Sequence, residues 1–155
     1  MLTGRARPVI ADFRYTRQMQ QITSLTYADA RRAIDAIQTE LARRGKTGVV
    51  AVADPSGELI ALARFEGAPL ASILIASNKA FTAARERKPT LDIGTGLRAK
   101  NYDVAFYGDP RYVGWGGGMP VLVEGKCAGA VAVSGLSQEE DQELASLGIA
   151  AALSS

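Results

Sequence analysis

The stretch Gly114-Trp115-Gly116-Gly117-Gly118-Met119-Pro120 limits what this chain can fold into more than any other. Each glycine gives up more backbone freedom on folding than any other residue and returns no side-chain packing. Three in a row therefore mark a place where the backbone turns sharply or approaches something closely. After them, Val121-Leu122-Val123 runs into Glu124-Gly125-Lys126, and Cys127 to Val133 returns, which predicts two strands joined by a tight glycine-containing turn. Ser134-Gly135 closes the second strand. Ser137 with Glu140 three residues on then has the form of a capping box, opening a helix to about Leu153 with Glu139, Glu140 and Asp141 in its first turn, where the helix dipole favours acids.

Gly117 to Gly135 reads GG, an apolar residue, P, three apolar residues, then glycines and small residues up to VSG. Ala76-Ser77-Asn78-Lys79-Ala80-Phe81-Thr82-Ala83-Ala84 adds the pattern A-x-x-K-A-x-T-A-A. Together these resemble the GlcG/HbpS-like family of haem-degrading (DUF336) domains, related to the C-terminal module of some corrinoid adenosyltransferases. The resemblance reaches upstream to about Leu25. It implies an α+β fold of three layers, α-β-α, with a roughly five-stranded antiparallel sheet covered by helices on both faces, profilin-like. It also implies a homo-oligomer and a tetrapyrrole ligand, either haem, sometimes degraded, or a corrinoid.

The 155 residues suffice for one core and not for two. We divide them into an N-terminal arm, residues 1–21, and one domain, residues 22–155. The arm scatters Arg5, Arg7, Arg14 and Arg17 among Val9, Ile10, Phe13 and Tyr15, so it is either a frayed terminus or an apolar arm for a neighbouring subunit. Eighteen basic against sixteen acidic residues leave a net charge of +2, too weak a field to argue for nucleic acid or an anionic membrane. No apolar run is long enough to span a bilayer and no signal pattern opens the chain, which points to the cytoplasm.

The single cysteine rules out an intrachain disulfide and a thiolate metal cluster, and there is no histidine. An axial ligand to haem could then come only from Tyr102, Tyr107, Tyr112, Cys127, a methionine or another oxygen, or from nothing in the chain, and a corrinoid held through a histidine of this chain is excluded.

Thr26 and Asp29 cap a first helix whose Ala30, Ala33, Ile34, Ile37 and Leu41 recur at helical spacing up to Gly45. Gly48 to Ala53 and Glu58 to Arg64 flank the turn Asp54-Pro55-Ser56-Gly57, an antiparallel hairpin. Its near-continuous apolar run implies that both sheet faces are covered. Pro69 opens a helix with a buried stripe of Leu70, Ile73, Leu74, Ser77, Ala80, Phe81 and Ala84, ended by Pro89. Residues 90–100 form a weaker helix, because Gly94 and Gly96 together cost about 2 kcal/mol against alanine. Residues 102–112 are an aromatic-rich loop leading to Trp115.

The candidate ligand surface gathers Phe106, Tyr107, Arg111, Tyr112 and Trp115 with Gly116, Gly117 and Gly118, and takes Lys79 or Arg98 as charge partner. Flat aromatic faces, exposed amides and a cation suit a planar ligand bearing carboxylates, and the same composition suits an oligomer interface. Lys79 either snorkels at a helix edge or presents its ammonium to the ligand. A second class of function is a cofactor-free lyase, isomerase or hydrolase acting on a small carboxylate or aromatic acid, with Lys79, Tyr107, Asp109 or Glu124 as acid and base. Asp109-Pro110 equally reads as a turn. A third is a non-catalytic accessory oligomer. No spacing of residues suggests a metal site.

Overall fold

The computed structural model describes residues 20–154. Helix α1 (Tyr27–Arg43) is followed by strands β1 (Val49–Ala53) and β2 (Leu59–Arg64), then by helices α2 (Ala71–Glu86) and α3 (Thr90–Ala99). A short 3₁₀ turn (Val104–Tyr107) leads to strands β3 (Gly118–Val123) and β4 (Lys126–Ser134) and to helix α4 (Gln138–Ala152). The sheet is antiparallel with order β2-β1-β4-β3, so two sequence-local hairpins are joined by pairing of their inner strands. About five strands were expected; among the described residues there are four, all from the two hairpins legible in the sequence. The N-terminal arm lies almost wholly outside the described residues.

The two faces of the sheet differ in kind. Val50, Val52, Val121, Val131 and Val133 pack against α1 and α4, joined by Ile34, Ile37, Leu41 and Leu144. On the other face Val49, Ala51, Ala53 and Ala132 meet Ala76 and Ala80 of α2. Bulky β-branched residues thus fill one layer, while alanine against alanine lets α2 lie close to the strands. Both faces are covered, as the unbroken apolar run of β1 requires.

That close approach explains a misreading of α2. Leu70, Ile73 and Leu74 are exposed, whereas Ser72, Ala76, Lys79, Ala80 and Ala83 are buried. A sheet face of alanines leaves no depth for leucines, so the small residues turn inward and the large ones at the start of the helix turn out. Ala80, Phe81 and Ala84 are buried as expected.

Local signals hold elsewhere. Thr26 and Asp29 form a reciprocal capping box, and Ser137 Oγ accepts the Glu140 amide at 3.3 Å. Asp54 accepts the Ser56 and Glu58 amides at 2.8 and 3.0 Å in the first hairpin turn. Glu124 and Gly125, at φ 49° and 75°, make the two-residue turn between Val123 and Lys126. Among the described residues no helix is long and apolar enough to cross a membrane.

Charged residues clasp α1 to α4. Arg44 bonds Glu40 and Glu143, each at 2.7 Å, and Lys46 bonds Glu140. Hydrogen bonds from Arg43 and Arg44 hold the Glu40 carboxyl at about 2, and Arg44 and Lys46 hold Glu143 and Glu140 below the ordinary glutamate value. Carboxylates depressed in the folded state contribute stability above their unfolded value of 4.5 and lose it as pH falls through the folded value. The melting temperature is therefore expected to be level above about pH 5 and to fall toward about pH 2, and Glu40→Gln should flatten part of that fall. Superimposable melting profiles for the variant and the parent would show that the clasp contributes nothing.

Candidate functional site

The glycine strap, Arg111 to Gly118, crosses three helices and is tied to each. Thr82 of α2 accepts the Val113 amide through Oγ1 at 3.1 Å and donates to the Arg111 carbonyl at 3.3 Å. Thr90, the first residue of α3, accepts the Gly118 amide at 3.0 Å. Gln138, the first residue of α4, accepts the Gly116 amide at 3.2 Å through Oε1. Both threonines are fully buried, and each is satisfied by the strap.

Beneath the strap lies a buried ion pair. Lys79 Nζ donates to Asp141 Oδ2 at 2.9 Å and to the Val133 carbonyl at 3.0 Å, with the two residues 3% and 2% exposed. Asp141 Oδ1 accepts the Leu136 amide at 3.2 Å, so the pair joins α2, the end of β4 and the start of α4. Burial pushes the Asp141 carboxyl up, against the pull of the Lys79 ammonium. Gly117, at φ +123°, sits directly on the pair: a Cβ there would stand 2.8 Å from Lys79 Nζ and 2.7 Å from the Asp141 Cβ. The neighbouring Gly118 is pressed against the Lys79 carbonyl. These glycines are demanded by the fit of the strap over the pair.

The strap also presses on α3. A Cβ on Gly94 would fall 1.8 Å from the Gly114 carbonyl oxygen, so the glycine inside this helix is a contact point. Gly96, on the next side of the same helix, meets nothing.

Around strap and helix three hollows open. The first, about 420 Å³, lies between α3 and the 3₁₀ turn and is lined by Lys88, Leu97, Lys100, Tyr102, Phe106 and Tyr107 among others. The second, about 470 Å³, shares Leu97 and Tyr102 with it and adds Arg98, Tyr112 and Trp115. The third, about 640 Å³, lies on the other side of Arg98 and Trp115 and reaches Lys79 and Asp141. Phe106 and Trp115 are 79% and 61% exposed, which leaves their faces free for a partner.

The residues singled out from sequence divide accordingly. Phe106, Tyr107, Tyr112, Trp115, Arg98, Gly116 and Lys79 line one or more hollows; Gly117 and Gly118 are the part of the strap pressed inward on the ion pair and the Lys79 backbone. Arg111 is engaged elsewhere, bonded to Asp109 at 3.0 Å and Glu58 at 3.1 Å and stacked 3.9 Å over the Phe81 ring. Tyr107 and Tyr112 stack 4.2 Å apart and nearly parallel, and Tyr112 donates to Glu86 at 3.1 Å. Burial pushes both phenols up from their ordinary value.

The four acid-base candidates do not meet. Lys79 is paired inside the third hollow, Tyr107 lines the first, Asp109 caps a turn through the Arg111 amide at 2.9 Å, and Glu124 lies exposed in the β3–β4 turn. Cys127 is half-buried, its Sγ 3.4 Å from the Ala84 carbonyl, and lines none of the three hollows. Sequence reasoning passed over Thr82, Thr90, Gln138 and Asp141. Thr82 stood in the A-x-x-K-A-x-T-A-A pattern without a role, and Asp141 was read only as an acid favoured by the α4 dipole.

The chain is thus an α+β domain with a glycine strap over a buried lysine–aspartate pair, bordered by aromatic hollows. The chain belongs to the family of the haem-degrading protein HbpS, whose model matches residues 25–150. It is 34% identical over 128 residues to an uncharacterized 15.0 kDa protein of the dhaT-dhaS intergenic region of Citrobacter freundii, covering 81% of this chain and 90% of that one. It is 38% identical over 103 residues to protein GlcG of Escherichia coli K12, covering 66% and 75%. Among solved structures, Klebsiella pneumoniae ORFY superposes with a TM-score of 0.81 at 26% identity, covering 89% of this chain and 97% of that one. A double mutant of Streptomyces reticuli HbpS superposes at 0.81 with 29% identity, covering 98% and 100%. A PduOC–haem complex superposes at 0.77 with 25% identity, covering 83% and 94%.

Proposed function

We propose that the protein binds a flat, carboxylate-bearing tetrapyrrole such as haem across the first and second hollows. One observation carries the reading: two hollows of about 420 and 470 Å³ meet at Leu97 and Tyr102, walled by aromatic rings and edged by Lys88, Lys100 and Arg98. The combined space has the size of a cofactor site, and its rim sets those three cations beside the acids Glu86, Asp92 and Asp103. The family and the haem complex of a similar structure support it.

The residues present fit such a group without histidine. Phe106, Tyr107 and Trp115 offer faces for a planar macrocycle, and the lysines and Arg98 offer charge to its propionates. Tyr107 and Tyr112 are stacked on each other and Tyr112 is bonded to Glu86, whereas Tyr102 borders both hollows and is the oxygen donor of this reading. Bound haem would supply an iron whose potential an oxygen donor tunes.

Haemin titration followed by visible absorbance tests this. Binding is expected to saturate at one haem per chain, and Phe106→Ala should weaken it about tenfold by removing a stacking face. Tyr102→Phe keeps the ring and should move the absorption band with little loss of affinity. Non-saturating binding, indifferent to both substitutions, would sink the reading.

A further inference from the structure

The third hollow has a lining that the haem reading leaves unused. Ser72, in the first turn of α2, and Ser134, the last residue of β4, are each 4% exposed and both line it. Among the described residues neither hydroxyl has a hydrogen-bond partner, so two nearly buried residues bring unpaired hydroxyls to the border of this space. Such groups are normally satisfied, by protein, water or ligand.

Other donors converge on the same space. Helix α2 begins without any side-chain cap; its Ser72 and Ile73 amides turn back onto the Pro69 and Leu70 carbonyls at 3.0 and 3.2 Å, so what it turns toward an anion is the positive end of its dipole. Gln138 uses Oε1 on the Gly116 amide, which leaves its Nε2 hydrogens for a ligand. At the mouth, Arg98 has no carboxylate partner among the described residues; it makes only contacts of 3.4 Å to the Gly114 carbonyl and 3.3 Å to Thr95 Oγ1. The one acid in the lining, Asp141, is already neutralised by Lys79. The surplus is one positive charge. The remaining wall is apolar, with Ile75, Leu136 and the Trp115 indole.

We infer that this hollow is a second site, sharing Arg98 and Trp115 with the haem surface, that takes a small organic carboxylate. Its carboxylate meets Arg98, Ser72, Ser134 and the start of α2, and its hydrocarbon part lies on Ile75, Leu136 and Trp115. A free phosphate would satisfy the donors and would leave the apolar wall bare. The buried ion pair forms the rigid floor. It sets the spacing between α2 and α4 and so the width of the site.

The chain carries its own reporter, because Trp115 is the sole tryptophan and borders the hollow. The haem-free protein would be titrated with cyclohexanecarboxylate, with the neutral isostere cyclohexanecarboxamide and with inorganic phosphate, following Trp115 emission. Cyclohexanecarboxylate is expected to give a saturable shift, and the amide and phosphate at least tenfold weaker binding. Arg98→Gln should weaken the carboxylate about tenfold or more, through the loss of a charge-assisted hydrogen bond. Ser72→Ala and Ser134→Ala should each weaken it several-fold with unchanged melting temperature. Neither serine lines the first two hollows, so haemin titration of the serine variants should match the parent and keeps the two sites distinguishable. A carboxylate that does not saturate, an amide or phosphate that binds equally well, or serine and Arg98 variants that bind like the parent would each overturn the inference.

Discussion

Lys79→Met is expected to cost about 3–5 kcal/mol of folding stability, because it leaves the Asp141 carboxylate buried without its counter-charge. For a domain of this size that is a fall in melting temperature on the order of 10 °C. Asp141→Leu should cost a similar amount by stranding the ammonium. The double variant should recover most of the loss, since a well-packed apolar pair often equals a buried ion pair in stability. Lys46→Met, which removes the half-exposed partner of Glu140, provides the comparison and should cost only a small fraction of that, because solvent screens the pair. Thermal or urea unfolding of the four variants decides the matter. If Lys79→Met behaved like Lys46→Met, the buried pair would be solvated and the strap would need another foundation.

Two glycines in one short helix are expected to respond in opposite directions. Gly96→Ala meets no atom within 4 Å and should stabilise the protein by about 0.5–1 kcal/mol through helix propensity alone. Gly94→Ala places a methyl against the Gly114 backbone and should cost about 1–3 kcal/mol or more, since neither backbone can step aside without releasing the strap. It should also weaken haemin binding, because Gly94 and Gly114 both border the second hollow. Equal effects from the two substitutions, read by denaturant unfolding, would show that the strap does not rest on α3.

What could be read from the sequence was what local chemistry writes locally. The Ala30, Ala33, Ile34, Ile37, Leu41 stripe, the two hairpins and the caps at Thr26 and Ser137 need only neighbours within a few residues, and all are found. The inward face of α2 was legible only at Ala80, Phe81 and Ala84; Ser72, Ala76, Lys79 and Ala83 carry little hydrophobic signal, while Leu70, Ile73 and Leu74 carry a strong one and point outward. The role of Lys79 was undecided because its partner, Asp141, lies 62 positions away in a helix turn where an acid already had a local reason to be. The glycine run was legible as a place of close approach; what it approaches was not. Likewise the aromatic loop was visible as a surface, but its division into separate hollows depends on where α3 lies.

The strand order has a consequence for how the chain reaches its native state. Each hairpin can zip up from its own turn, yet β1 and β4 are both inner strands, and each has an open edge until Val49 meets Ser134 and Ala53 meets Ala130. That seam closes a loop containing α2, α3 and the strap, so its entropy must be met before the seam's own hydrogen bonds form. The ion pair, through the Val133 carbonyl, and the third hollow, through Ser134, lie at one end of that seam. The third hollow, lined from Pro69 to Asp141, therefore needs both hairpins joined, whereas the first two are lined by the single stretch 86–115.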